Sequence, residues 1–247
     1  AIGPDAWALS TDALAVGDVA TANGLGATAV GASANAKAYK ATAIGVFSQA
    51  GDSATAIGNN SNADILGVAI GNFTKAGIVS TALGPDAEAM GMRSVAVGQN
   101  SSSSALESLA LGANSFTGKY DPESTTDAVH STAVGFEAWA TETNAVALGF
   151  NSWAKAVDSV AIGQSAWALA PATNSVALGA GSLAERANTV SVGAAADWTD
   201  WGGVVHTAVD RQVTNVAAGT EDTDAVNKAQ LDAVAANLAD ANDYYAA

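Results

Sequence analysis

The chain has 247 residues, 49% hydrophobic but only 6% aromatic, and 24 acidic against 9 basic residues give a formal net charge of −15. Such a surface repels phosphate backbones, and with no Lys/Arg cluster to overcome the repulsion, nucleic-acid binding is disfavoured. The absence of cysteine removes thiol catalysis, disulfide stapling and Cys-based zinc sites, and no apolar run reaches the roughly 18 residues of a membrane-spanning helix.

From the first residues the chain is a repeat. Copies of a Ser-Val-Ala-Ile-Gly pattern end at Gly3, Gly17, Gly31, Gly45, Gly58, Gly71, Gly84, Gly98, Gly112, Gly135, Gly149, Gly163, Gly179 and Gly193. Most intervals are 14 residues, three are 13, one is 16 and one is 23. Helix-pair repeats and four-stranded blades need more than about 30 residues per unit, so each unit is two short strands and two turns. The residue before each glycine is Val, Ile or Leu, and before that stands Ala in nearly every copy. Both faces of this first strand are therefore apolar or small. In the second strand, small residues three and five places after the glycine flank a variable one, as in Ala34-Asn35-Ala36 and Ser152-Trp153-Ala154. That alternation marks one inward and one solvated face.

The expected product is an all-β solenoid of flattened coils with Ala and Ser inside and the repeat glycine supplying a turn. At about 4.8 Å per strand, fourteen coils span roughly 65 Å. The outward face of the first strand leaves an aliphatic stripe along the whole stack, including Ile44, Ile57, Val160 and Ile162, which calls for self-association.

The regular head covers residues 1–193, interrupted by an inserted loop near 118–127 with Tyr120, Pro122 and several charges. Insertions on solenoids map to one face that is often a binding face. Trp139, Trp153 and Trp167 then recur at 14-residue spacing on the outward side of the second strand. The spacing stacks them in one column, either as exposed ligand contacts or as a shield packed against another element. Residues 194–223 carry Trp198, Trp201 and Gly202-Gly203 and read as connector and neck. From 224 to 247 the pattern changes to a coiled-coil seam through Asn227, Leu231, Val234, Leu238, Ala241 and Tyr245, with Asp224 or Thr223 as helix cap. Three heptads are marginal alone, so the helix is expected to be oligomeric and to continue in a longer parent protein.

Catalytic signatures are missing. His130 and His206 lie far apart in sequence and no metal-ligand spacing or nucleophile elbow occurs. The two loose glycine fingerprints at Gly24 and Gly179 sit inside coils with no room for a crossover helix. No enzyme, cofactor or metal site is expected, unless a buried polar pocket forms around one histidine.

The repeats, the string Arg211-Gln212-Val213-Thr214-Asn215-Val216-Ala217-Ala218-Gly219 and the following Thr223-Asp224-Ala225-Val226-Asn227-Lys228-Ala229-Gln230-Leu231 resemble trimeric autotransporter adhesins with YadA-like heads. The resemblance covers essentially the whole chain. It implies a left-handed parallel β-roll in a homotrimer and a neck containing Arg211, Asn215, Gly219, Asp224 and Asn227. It also implies a coiled-coil stalk with Leu231, Val234 and Leu238 in its core. Display on a Gram-negative surface, anchored in the outer membrane by a C-terminal region outside this chain, follows from the same likeness. So does binding to host extracellular matrix or host cells, with autoaggregation or a spacer role as the alternative. Trp139, Trp153, Trp167 and Tyr120 are the candidate ligand contacts.

Overall fold

The computed structural model describes residues 1–119 and 127–246, with side chains through 239. It contains two compact units, Ala1–Asp210 and Arg211–Ala247. The inserted loop lies largely outside the described residues, and so does Tyr120.

In the first unit the coils build two thirteen-stranded parallel sheets. One is made of three-residue strands from Leu14–Val16 to Val176–Leu178 and ends on Val190–Ser191; the other is made of two-residue strands from Trp7–Ala8 to Leu183–Ala184. Every residue pairs with its equivalent one coil away, as in Thr42↔Thr55, Ala43↔Ala56 and Ile44↔Ile57. The 23-residue interval does not disturb the register, because Leu109↔Thr132, Ala110↔Ala133 and Leu111↔Val134 remain aligned.

The middle Ala of each three-residue strand points inward, and Ala15, Ala43, Ala82, Ala110 and Ala161 have no exposed surface. Only Ala, Ser and Thr fit this narrow interior. In most coils where Ser follows the glycine by three residues, its hydroxyl donates to that glycine's own carbonyl, at 2.9 Å in Ser48–Gly45 and 3.0 Å in Ser152–Gly149, whereas Ser182 donates to Leu178 O. Apolar packing is not uniform along the stack. One Ala cluster runs from Ala15 to Ala96 and another from Ala133 to Ala184. Between them the interior is mostly hydroxyl-lined, with Ser101, Ser103, Ser108, Ser115, Thr117 and Ser131 all buried. Ser103, Ser108 and Thr117 close a triangle of hydrogen bonds at 2.7, 3.0 and 3.1 Å.

The repeat glycine has a steric role beyond the expected turn. At Gly149 φ is +134°, and a Cβ there would lie 2.6 Å from the carbonyl oxygen of Gly163 in the next coil. Stacked turns approach too closely for any side chain. Two residues later comes a left-handed residue, often Asn or Asp as at Asn60 and Asp86 but also Val19, Phe47 and Phe73, and the opposite turn has its own, including Lys40, Leu66 and Val79. Left-handed backbone costs a non-glycine residue about 1 kcal/mol or more. The ladder offsets this: the amide of Phe47 donates to Ala32 O at 3.0 Å, and that of Val79 to Ile65 O at 2.9 Å.

The second unit holds the helix α1 (Lys228–Ala246). Its cap is Asn227, not Thr223 or Asp224. Asn227 Oδ1 accepts from the Gln230 amide at 3.1 Å while Gln230 Oε1 accepts from the Asn227 amide at 3.2 Å, a reciprocal capping box. Asp224 turns the other way, accepting from the amides of Thr220 and Glu221 at 2.9 and 3.0 Å, which holds its carboxyl below the usual range. Gln230 also pairs with both backbone groups of Gly219, and Asn227 Nδ2 donates to Val216 O, so the neck string is folded onto the helix start. Leu231, Val234 and Leu238 are 57–63% exposed in the single chain, an apolar stripe that needs partner helices.

Candidate functional site

The two sheets present opposite chemistries outward. On the three-residue strands the residues flanking the inward Ala face out, forming two unbroken columns. One runs Val30, Ile44, Ile57, Ile70, Leu83 and Val97, the other Thr81, Val95, Leu109, Thr132, Val146 and Val160. Ile44, Ile70, Leu111, Leu148 and Leu178 keep 37–44% of their surface in the single chain. On the two-residue strands the outward column is Thr21, Asn35, Gln49, Asn62, Lys75, Glu88 and Ser102, polar and tied by a Lys75–Glu88 ion pair at 2.7 Å. This second face can remain in water.

Beyond Ser102 the polar column becomes aromatic. Phe116, Trp139, Trp153 and Trp167 stack on successive coils with ring centroids 5.4, 5.3 and 4.8 Å apart. Exposure does not follow the outward orientation, however. Trp153 and Trp167 retain only 6% and 7% of their surface. The cover is a hairpin that the sequence does not announce: Trp198–Thr199 pairs antiparallel with Val205–His206 and folds back over the column. Trp198 lies 4.8 Å from Trp167 and stacks on His206 at 4.3 Å, and Trp201 at the hairpin turn reaches Trp139 at 6.1 Å. Lys155 adds its ammonium 4.3 Å above the Trp153 ring. Of the three column tryptophans, Trp139 alone is more than marginally accessible.

A buried carboxylate fastens the hairpin. Asp200, 6% exposed, accepts from Val204 N at 2.8 Å, Asn151 Nδ2 at 3.0 Å and His206 Nε2 at 3.1 Å. Burial pushes its pKa up, but the bonds from His206, Val204 and Asn151 outweigh this and hold it below the ordinary carboxylate value. Asn151 also receives Trp167 Nε1 on its carbonyl at 3.1 Å, so one turn residue ties column and hairpin together. The Asp200–His206 pair is the buried polar pocket that would have suggested catalysis. No hydroxyl or thiol nucleophile bonds to His206 among the described residues, and the remaining Asp200 bonds come from structural donors, so the arrangement works as a clasp. His130 is separate: it bridges Glu107 at 3.1 Å and Asn144 at 3.3 Å along the opposite turn. Glu107 is held below its usual pKa by Arg93 and, less strongly, by His130.

The clasp has a testable pH dependence. A carboxyl whose folded pKa is depressed stabilises above its unfolded value and loses that contribution as pH falls through the folded one. Acidification below about pH 4 is therefore expected to loosen the hairpin and shift tryptophan emission to the red. Asp200→Ala, which strands three buried donors, is expected to produce the red-shifted emission already at neutral pH at a cost of about 2 kcal/mol. An unchanged spectrum in that variant would disprove the clasp.

The YadA head domain repeat model matches residues 1–20, 22–48, 50–64, 76–101, 91–115, 127–152, 154–172 and 170–196, and the model for the coiled stalk of trimeric autotransporter adhesin matches 212–246. These matches span well over half of the sequence. The chain belongs to the trimeric autotransporter adhesins. The solved collagen-binding domain of the Yersinia adhesin YadA is 29% identical to it, over 92% of this chain and 85% of that one, with a TM-score of 0.36. No curated protein matches the chain.

As a member of this family, the adhesin is a parallel β-roll head and stalk start, homotrimeric and non-enzymatic. Trimeric autotransporter adhesins are displayed at the bacterial surface and anchored in the outer membrane. No described helix is long and apolar enough to cross a membrane.

Proposed function

We propose that this adhesin head attaches bacteria to host extracellular-matrix proteins or host cells through the outer faces of its two-residue strands, presented three times around the trimer. The separation of chemistries carries the reading. Hiding the Ile44–Ile57–Ile70 columns in the trimer leaves the polar and aromatic columns, from Thr21 to Trp139, as the surface a ligand meets. Arg211, Asn215, Gly219, Asp224 and Asn227 would lead into the stalk, where Leu231, Val234 and Leu238 would pack around the trimer axis. Anchorage through a segment beyond residue 247 belongs to the same proposal.

Repetition supplies firmness. Many similar coils in three chains turn weak single contacts into lasting attachment, since second and later contacts form at high effective concentration. Binding of the purified trimer to immobilised collagen, fibronectin and laminin, and to host cells, tests it. A trimer-disrupting variant is expected to bind at least about 100-fold more weakly than the intact trimer. Bacteria that clump through the head yet attach to none of these surfaces would instead assign it to self-association.

A further inference from the structure

The aromatic column does not end in a flat wall. Between Phe116, Trp139 and the overhanging Trp201 there is a cleft of about 370 Å³, within the size range of small-ligand sites. The three rings are inclined rather than parallel, 43° between Phe116 and Trp139 and 32° between Trp139 and Trp201. Trp201 remains 61% exposed. Its immediate neighbour is the buried Asp200, so the best-fastened point of the hairpin is the one that holds a large apolar ring out over an open cleft.

The opposite wall is polar and comes from side chains. Asn100, Asn114 and Glu137 occupy successive left-handed positions of one turn column, and Ser102 lies beside them on the strand. Asn100 Nδ2 donates to Asn114 Oδ1 at 3.0 Å, which aligns the pair and leaves an amide oxygen on one and an amide nitrogen on the other for a ligand. Glu137 makes no ion pair among the described residues. Backbone groups are already used: the amides of Ser102, Phe116 and Trp139 donate to Ser115, Ala138 and Ser152 of the next coil at 2.9 Å. An extended peptide, which gains affinity from main-chain pairing, finds no partner here. Among the described residues the lining holds a carboxylate and no Lys or Arg, which disfavours anionic ligands.

What remains is a ligand with an apolar face to lie on an indole and adjacent hydroxyls to bond amides, a hydroxyl and a carboxylate. We propose that this cleft binds a neutral oligosaccharide, one pyranose ring lying against the exposed Trp201 ring while its hydroxyls bond Asn100, Asn114, Ser102 and Glu137. Aromatic rings supply contact area at low entropic cost, and the amide and carboxylate groups select hydroxyl geometry. This site goes beyond matrix attachment and does not depend on it.

The test uses the trimeric chain and a panel of neutral hexose and N-acetylhexosamine oligosaccharides beside sialylated and sulfated ones, read by saturation-transfer NMR and titration calorimetry. Binding confined to neutral sugars is expected. Trp201→Ser and Glu137→Gln are each expected to weaken it at least about tenfold, with the melting temperature within a few degrees of the parent, since both side chains are on the surface. The proposal is overturned if no neutral sugar binds, if anionic sugars bind better, if Trp201→Ser binds as the parent does, or if only proline-rich peptides compete for the cleft. Attachment to deglycosylated matrix proteins, measured in parallel, separates the two readings. Retained attachment without sugar binding removes the cleft alone, and sugar binding without attachment removes matrix adhesion alone.

Discussion

Ile57→Asp combined with Ile162→Asp should convert the trimer into single chains at micromolar concentration. Both residues lie on the outward columns of the three-residue strands, in the fourth and eleventh of the thirteen stacked strands. In an assembled trimer the pair places six carboxylates against aliphatic neighbours with no cation among those columns. An unpaired buried charge costs several kcal/mol even after relaxation, so the combined penalty exceeds what a trimer of this size can absorb. Sedimentation velocity reads the result directly. Gln49→Asp, a charge added on the polar columns, is the matched control and should leave the trimer intact. A trimer that survives the double substitution would show that these columns do not form the interface.

The second large effect concerns one methyl group. Gly149→Ala must adopt φ near +134°, a region almost closed to alanine, and its Cβ must displace the carbonyl of Gly163, 2.6 Å away. That carbonyl belongs to a backbone hydrogen-bonded on both sides and cannot swing aside. A loss of about 3 kcal/mol or more is expected, seen as a fall in the urea midpoint at fixed protomer concentration. Gly181→Ala makes the comparison informative. Gly181 has φ +67°, and a methyl added there would meet nothing within 4 Å, so its cost should stay near 1 kcal/mol.

The coil and its two faces are legible in sequence because each constraint repeats. Ala recurs wherever the interior is narrow, Val, Ile or Leu wherever the outside is apolar, and Gly wherever neighbouring turns touch. The left-handed turn residues are only partly legible: many are Asn or Asp, as at Asn60, Asp86 and Asn144, which tolerate this conformation, but at Phe47 and Val79 the inter-coil ladder imposes it on a side chain that gives no signal. The hairpin is hidden for a different reason. Gly202-Gly203 between Trp198 and Val205 is a turn signal, but nothing local says that Asp200 will meet Asn151, 49 residues earlier. Sequence alone therefore leaves Trp153 and Trp167 open between exposure and cover. At the helix, Asn227 and Gln230 have capping-box spacing, yet Asp224 reads as the stronger cap because nothing local shows its carboxylate serving Thr220 and Glu221.

The hydroxyl-lined stretch from Ser101 to Ser131 has a mechanical consequence. One alanine column, Ala96, Ala110 and Ala133, passes through it, but most other inward positions there are hydroxyls, so methyl packing between the two alanine-rich blocks is thinner and strand hydrogen bonds and a small Ser–Thr network carry more of the coupling. Hydroxyl pairs can be exchanged for water far more cheaply than methyl packing can be lost. Under tension between a bacterium and whatever it holds, this stretch is expected to give before the alanine-packed coils on either side of it.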